Sequence, residues 1–356
     1  MGILLSVSLI VLCSVVLWKA CSQFERSSKI LGHRLEDGVR GATINAIASS
    51  LPELFTSLFF LFWIKDIAGF AAGIATVIGS AIFNILLIPA CVIFILLKNG
   101  HNATINKRLI LRDSGVLILS QVCLLLFIQN GRITAFEGLA LMFIYAGFIA
   151  NLSRYGLFKN TSPEPTHNLR RKRALAVIFR SVLMVSAGCF LLVWACELLG
   201  AEHFPEYLHF LGNLSGLGWN PMLIALVFAA AASSVPDLFI SCIDAKNGDT
   251  EDSISNPIAS NLFDICVAFG FPLALYTMLN GGIEIPPNGL FSLDDLTKLM
   301  LLMLGVTVLF LVMVMTSNTY RYVHMLLLGI AYGTFVYLAF HLDMLSLPQF
   351  LQHVQP

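Results

Sequence analysis

One stretch of this chain is written twice. The first copy is Ala46-Ile47-Ala48-Ser49-Ser50-Leu51-Pro52-Glu53-Leu54-Phe55, and the second is Ala230-Ala231-Ala232-Ser233-Ser234-Val235-Pro236-Asp237-Leu238-Phe239. They differ only at Ile47/Ala231, Leu51/Val235 and Glu53/Asp237, at a constant offset of 184. A second pair of blocks follows at an offset of 180, Gly79-Ser80-Ala81-Ile82-Phe83-Asn84 and Ala259-Ser260-Asn261-Leu262-Phe263-Asp264. The repeat therefore covers two consecutive apolar segments, the first of which places a proline directly before an acid. A chain duplicated in this way is expected to fold as two related halves.

The solvent for those halves is lipid. Hydrophobic residues make up 57% of the 356-residue chain and charged residues 12%, with a mean hydropathy of +0.83; soluble domains hold about 45–50% and about 25%. Apolar windows long enough to cross a bilayer fall at 2–21, 36–63, 67–97, 109–129, 134–153, 174–199, 219–244, 254–279, 296–316 and 322–342. The second, third, seventh and eighth are longer than a bilayer needs and contain Pro52, Gly69, Gly73, Gly79, Pro236 and Pro257, which predicts tilted, kinked or broken helices. The run Ile3–Leu17 lacks a basic leader and a small-residue cleavage site, so it reads as a first span. The eight cysteines are scattered through apolar runs without a CxxC pair and read as small packing residues.

Threading the chain back and forth through these windows leaves only Lys65, Arg132 and Lys298 on one side and the other 18 of 21 Lys and Arg on the opposite side. That bias makes the basic side cytoplasmic and both termini extracytoplasmic, in a plasma or cell inner membrane. Asn102, Asn151, Asn160 and Asn213 lie in N-glycosylation sequons, of which only Asn213 falls on the outer side. The longest polar interruption, 155–173, contains Ser162-Pro163-Glu164-Pro165 and Arg170-Arg171-Lys172-Arg173 and reads as a cytoplasmic linker whose basic run anchors topology. It separates a first half, 1–154, from a second, 174–356, each of five spans. Five is odd, so the second copy enters the membrane upside down. Inverted repeats of this kind hold substrate near the midplane between halves.

Glu53 and Asp237 sit inside apolar segments that contain no Lys or Arg to pair with them. A carboxylate at mid-membrane costs several kcal/mol unless it is paired, and a cation is the natural partner. Pro52 and Pro236 cannot donate a backbone hydrogen bond and free the carbonyls of Ala48 and Ala232, beside Ser49 and Ser233. Ser49, Ser50, Ser233 and Ser234 add hydroxyls, and a helix broken at the proline would offer carboxylate, carbonyl and hydroxyl oxygens together, the ligands that hard cations prefer. In the next segment, Ser80 with Asn84 and Ser260 with Asp264 are i, i+4 pairs sharing one helix face. Serines and Gly69-x-x-x-Gly73 also serve helix packing, and Asn45 reads as an interhelical hydrogen-bonding residue. Glu137, Glu197 and Asp244 are expected to reach water at span ends, and His324 and Tyr145 to pack.

The blocks 49–53 with 79–84 resemble the first alpha repeat of the cation/calcium exchanger superfamily, and 233–237 with 260–264 resemble its second, in the sodium/calcium exchanger branch with its potassium-dependent members. The motif resemblance covers about 41–90 and 219–275. It implies an all-α integral membrane protein with ten transmembrane helices in two inverted five-helix repeats, the exchanger fold, around a four-helix core. It implies Ca2+ binding by Glu53 and Asp237 with backbone oxygens at Ser49 and Ser233. It implies Na+ sites that add Ala46, Ser50, Ser80, Ala230, Ser234 and Ser260, with Asn84 and Asp264 completing the centre. It also implies alternating access by sliding of the first and sixth spans. Ala48 and Ala232 stand where the family has a glycine-led triplet, Ala259 where it has Gly, and Ala81 where it has Asn. Asp237 and Asp264 fit the potassium-dependent type.

Glu53 and Asp237 together neutralise one Ca2+ or two Na+, and Asp264 adds a third ionisable group. The expected activity is Ca2+ for Na+ antiport with K+ co-transport left open. The alternative is Ca2+/H+ exchange on the same carboxylates. A cation channel is disfavoured by the inverted repeat, a Ca2+ sensor by the absence of an appended soluble domain, and an enzyme by the lack of a nucleophile–base pair or phosphate loop. No cofactor is expected beyond the transported ions. Membrane lipid is the surrounding partner, no obligate protein partner is evident, and a net charge of zero points to no nucleic acid.

Overall fold

A backbone in hydrocarbon must satisfy its own N–H and C=O groups, so apolar runs of this length become helices. A computed structural model describes residues 1–31, 46–101, 107–154, 168–205, 208, 214–288, 291–317 and 319–341. Among them, ten helices are long and apolar enough to cross a membrane. They are α1 Gly2–Leu31, α2 Ala46–Ile64, α3 Asp66–Lys98, α4 Lys107–Gln129, α5 Ala135–Arg154, α6 Asn168–Gly200, α7 Pro221–Asn247, α8 Thr250–Asn280, α9 Leu293–Thr316 and α10 Tyr322–His341. Every predicted span has its helix. The first ten residues of the second window, Asn45, the sequons at Asn102, Asn160 and Asn213 and most of the linker lie outside the described residues.

Helix α3 has 33 residues, about 50 Å at 1.5 Å per residue, so it must tilt to fit a core of about 30 Å. Three helices carry a π-helical stretch, at Phe60–Ile64 in α2, Ala225–Ala229 in α7 and Asp264–Phe269 in α8. Such one-turn bulges widen a helix locally and recur at functional sites.

The loops show that successive helices alternate in direction. Strand β1, Arg132–Ile133, after α4 pairs antiparallel with β2, Ile283–Glu284, after α8, and Arg132 bridges Glu284 at 3.1 Å. The Trp63 indole at the end of α2 donates to Glu197 at the end of α6. At the opposite face, Gly248 between α7 and α8 lies against the His101 ring, the Lys107 ammonium donates to Met315 O at the end of α9, and Arg180 near the start of α6 donates to Gln23 in α1.

Helices α2, α3, α7 and α8 form the interior, while α4, α5, α9 and α10 cover it. Contacts repeat under a shift of five helices. Helix α1 packs on α6, α4 on α9, α3 on α10 as α8 on α5, and α2 on α6 as α7 on α1. The two halves are thus arranged as inverted copies around a shared centre.

Gly79 makes the closest approach in that centre. A Cβ there would lie 2.0 Å from Leu226 O and 2.6 Å from the Ala230 Cβ, so α3 and α7 touch backbone to backbone. Gly138 does the same for α5 against α8, with Gly270 O at 2.5 Å. In Gly69-x-x-x-Gly73 only Gly69 is confined, by Phe60 O at 2.4 Å.

Two expectations are corrected. Glu137 does not reach water. It is buried and accepts from the N–H of Thr134 at 2.7 Å and from its hydroxyl at 2.6 Å. Thr134-x-x-Glu137 is half of a capping box, and it closes the otherwise unpaired start of α5. The prolines of the repeat also behave differently from each other. Helix α7 is interrupted by a turn at Ser234 and restarts with Pro236 in its first turn, where a missing N–H is tolerated. Helix α2 runs unbroken through Pro52. The Pro52 carbonyl itself accepts from the Thr56 hydroxyl at 2.8 Å and from the Cys189 thiol of α6 at 3.5 Å.

Candidate cation site

The small residues of the repeat let four helices meet, and their polar side chains turn inward because lipid offers them no partner. Ser49, Ser50, Glu53, Ser80, Asn84, Ser233, Ser234, Asp237, Ser260 and Asp264 are all at 0% exposure, and Ala46 and Ala230 are buried beside them. All twelve residues singled out in the sequence therefore lie in the interior. Of the polar ones, Glu53 is linked to Ser80 and Ser234, and Asp237 to Ser260 and Asn84.

The linkage has the symmetry of the repeat. The Ser80 hydroxyl contacts Glu53 Oε1 at 3.3 Å and the Ser234 hydroxyl at 2.7 Å, and Ser234 reaches the same Oε1 at 3.4 Å. The Ser260 hydroxyl donates to Asp237 Oδ1 at 2.7 Å and meets the hydroxyls of Ser49 at 2.9 Å and Ser50 at 3.2 Å. Each serine of the second helix in a pair thus ties its own half's acid to the other half's serines. Ala46 O and Ala230 O accept from the hydroxyls of Ser49 at 3.3 Å and Ser233 at 3.2 Å.

The counterparts Asn84 and Asp264 part company. Asn84 Nδ2 contacts Asp237 Oδ2 at 3.4 Å and donates to Asn261 Oδ1 at 2.9 Å. Asp264 opens the π-helical stretch of α8, beside the hydroxyls of Ser50 and Ser80, and among the described residues neither of its oxygens has a partner at hydrogen-bonding geometry. Asn261 was not singled out by sequence reasoning. It is fully buried, and its Nδ2 donates to Ala81 O at 3.1 Å. Ala81 is its own counterpart in the first half, so one asparagine fastens both copies. Its signal was an amide inside an apolar motif, between Ser260 and Asp264.

Charge at the centre is all of one sign. Among the described residues no Lys or Arg pairs with Glu53, Asp237 or Asp264, and no three His, Cys, Asp or Glu side chains cluster as a resident metal centre. Glu53 Oε2, Asn84 Oδ1 and both Asp264 oxygens are buried acceptors without a hydrogen-bond donor. Leaving such acceptors unpaired in an apolar interior costs about 1–3 kcal/mol each, and more for charged groups. Carboxylate, hydroxyl and amide oxygens together form a donor set suited to a hard cation.

Helices α1 and α6 flank this centre. Cys21 of α1 and Cys189 of α6 are fully buried. The Trp18 ring stacks on Phe239 of α7 at 4.2 Å, and Phe190 meets Phe59 of α2 edge-on at 5.5 Å.

Known proteins share both sequence and architecture with this chain. The family described as "Sodium/calcium exchanger protein" matches residues 2–153 and 173–341. "Sodium/potassium/calcium exchanger 3" of Homo sapiens is 36% identical over 152 residues, 40% of this chain and 22% of that protein. "Sodium/potassium/calcium exchanger 1" of Gallus gallus is 29% identical over 151 residues, 42% of this chain and 21% of that one. The chain thus covers only about a fifth of the length of these relatives. Among solved structures, the sodium-calcium exchanger NCX_Mj soaked with 10 mM Na+ and zero Ca2+ superposes with a TM-score of 0.63 at 19% identity, over 96% of this chain and 100% of that one. The H+/Ca2+ exchanger CAX superposes with a TM-score of 0.59 at 14% identity, over 94% and 90%. At these identities the structural likeness carries the fold. The family match spans all ten helices, and this multi-pass membrane protein belongs to the sodium/calcium exchanger protein family.

Proposed function

We propose that the chain is a secondary antiporter that exchanges Ca2+ for Na+ by alternating access. The observation that carries this reading is the symmetric oxygen shell in which Ser80 and Ser260 each join one half's acid to the other half's serines. Two carboxylates from oppositely directed helices balance one Ca2+ or two Na+, so the two loads exclude each other on charge alone. With Asp264 protonated or balanced by K+, a loaded centre is neutral and can be carried through the low-dielectric interior. An empty one leaves two bare carboxylates there, which is costly, and this holds the protein to obligatory exchange.

In this reading Glu53 and Asp237 are the principal Ca2+ ligands, assisted by backbone oxygens at Ser49 and Ser233. Ala46, Ser50, Ser80, Ala230, Ser234 and Ser260 line Na+ positions, and Asn84 and Asp264 complete the centre. Asp264 supplies the extra acid that K+ co-transport would use. Helices α1 and α6, packed on each other and each touching both acid-bearing helices, α2 and α7, are the elements that slide. The basic face is cytoplasmic, both chain ends lie opposite, and the linker 155–173 joins the inverted halves on the cytoplasmic side of a plasma or cell inner membrane.

Isotopic Ca2+ uptake into proteoliposomes tests the reading. An outward Na+ gradient should drive uptake, and Glu53→Gln and Asp237→Asn should abolish it. Uptake driven by a pH gradient and indifferent to Na+ would replace Na+ coupling with H+ exchange on the same carboxylates.

A further inference from the structure

The repeat extends beyond the central shell, and its two halves diverge there. One turn from Asp237 toward the α7–α8 loop stands Ser241, and one turn from Ser260 toward the same loop stands Asn256. At the same offsets in the first half stand Ser57 and Thr76, one turn from the centre on the opposite side. All four are buried at 0–2% exposure. A further turn out, the second half places Asp244 and Asp252, both half-buried. The first half has Phe60 and Ala72 at the matching positions, both fully enclosed.

Asp237, Ser241 and Asp244 are spaced i, i+4, i+7, and Asp252, Asn256 and Ser260 are spaced by four, so each set follows one helix face. Helices α7 and α8 pack against each other. Asn256 Nδ2 lies 3.4 Å from the Ser241 hydroxyl, which joins the two faces at that level. Asn256 Oδ1 is buried and accepts no hydrogen bond. The α7–α8 hairpin thus carries three successive levels of oxygen, from half-buried acids through a neutral amide–hydroxyl pair to the central carboxylate. On the other side the sequence of levels stops at Ser57 and Thr76 against apolar packing.

We propose that Ser241 and Asn256 form a staging site for a hard cation, through which ions pass between the acids Asp244 and Asp252 at the α7–α8 face and the central shell. The site holds no net charge, so it passes the ion on to the carboxylates without competing with them. The first half has no amide at the matching level, where Thr76 stands. Entry from the two faces is therefore unequal, although the central shell is nearly symmetric. This inference rests on the antiport reading.

The test is isotopic Ca2+ flux in oriented proteoliposomes at sub-saturating Ca2+, measured from each face, alongside equilibrium Ca2+ binding in detergent. Asn256→Val should slow entry from the α7–α8 face about 10-fold, the rate equivalent of about 1.4 kcal/mol, and leave equilibrium binding within about twofold. Asn256→Asp should speed entry from that face, and Thr76→Val should leave that face unchanged. Ser241→Ala gives a second slow variant if Asn256→Val does not fold. Equal slowing from both faces, or binding that weakens in step with flux, would make the pair part of the central site and overturn the proposal. Unchanged rates from the α7–α8 face would also overturn it. Wild-type protein that neither binds nor carries Ca2+ would instead reject the antiport reading itself.

Discussion

Replacing Gly79 by alanine puts one methyl group into the closest helix contact of the core. The new Cβ would lie 2.0 Å from Leu226 O and 2.6 Å from the Ala230 Cβ, whereas non-bonded heavy atoms rest at about 3.5–4.0 Å. Both nearest atoms belong to α7, one of them main chain, so no rotamer change relieves the clash. Helices α3 and α7 must separate by about 1.5 Å to restore ordinary contact. The Ser80–Ser234 hydrogen bond, 2.7 Å long and one residue away, would then stretch beyond hydrogen-bonding range. Overpacking of this kind costs about 1–3 kcal/mol, and the lost hydrogen bond about 1 kcal/mol more. A loss of about 2–4 kcal/mol should lower the unfolding midpoint in detergent, and misalignment of Glu53 with Ser234 should weaken Ca2+ binding more than tenfold, the equivalent of about 1.4 kcal/mol. The assay is thermal unfolding with and without Ca2+, with Gly115→Ala as control, since nothing lies within 4 Å of its Cβ. A Gly79→Ala protein with wild-type midpoint and wild-type Ca2+ affinity would refute the close-packed α3–α7 contact.

Further substitutions probe separate parts of the account. Ser80→Ala and Ser260→Ala remove equivalent bridges, so each should weaken Ca2+ binding by about 1 kcal/mol, measured by calorimetric titration. A large effect from only one would break the functional symmetry. Asn261→Ala removes both the donor to Ala81 O and the acceptor for Asn84, and should lower thermal stability by about 1–3 kcal/mol. Glu137→Ala opens the capping box of α5 and should cost about 0.5–2 kcal/mol of stability with ion affinity unchanged, since among the described residues Glu137 bonds only to Thr134 in its own helix start.

Much of this architecture was visible in the residues themselves. Lipid imposes helices on every long apolar run, so ten windows became ten helices, and an odd number of spans per half forced the inversion of the repeat. Glu53 and Asp237 stood out because an acid in an apolar helix demands a partner. What the residues did not reveal depends on where the helices start and what they pack against. Pro52 and Pro236 are equivalent in sequence, yet α2 runs on through Pro52 while α7 stops at Ser234 and restarts with Pro236 in its first turn. Asn261 drew no notice in the sequence, where it stands opposite Ala81 in the repeat, and proved to be the clasp between the halves. Glu137 looked like a water-facing acid because its capping partner, three residues earlier, matters only once the helix start is placed.

The central claim is that two acids from inverted halves hold one ion between them. Calorimetric Ca2+ titration of the wild type, Glu53→Gln, Asp237→Asn and the double variant tests it most directly. Each single substitution should weaken binding at least 100-fold, about 2.7 kcal/mol, and the double variant should be little worse than either single one, since acids that share an ion do not contribute independently. Single variants that bind Ca2+ as the wild type does, or losses that simply add in the double variant, would contradict a shared ion.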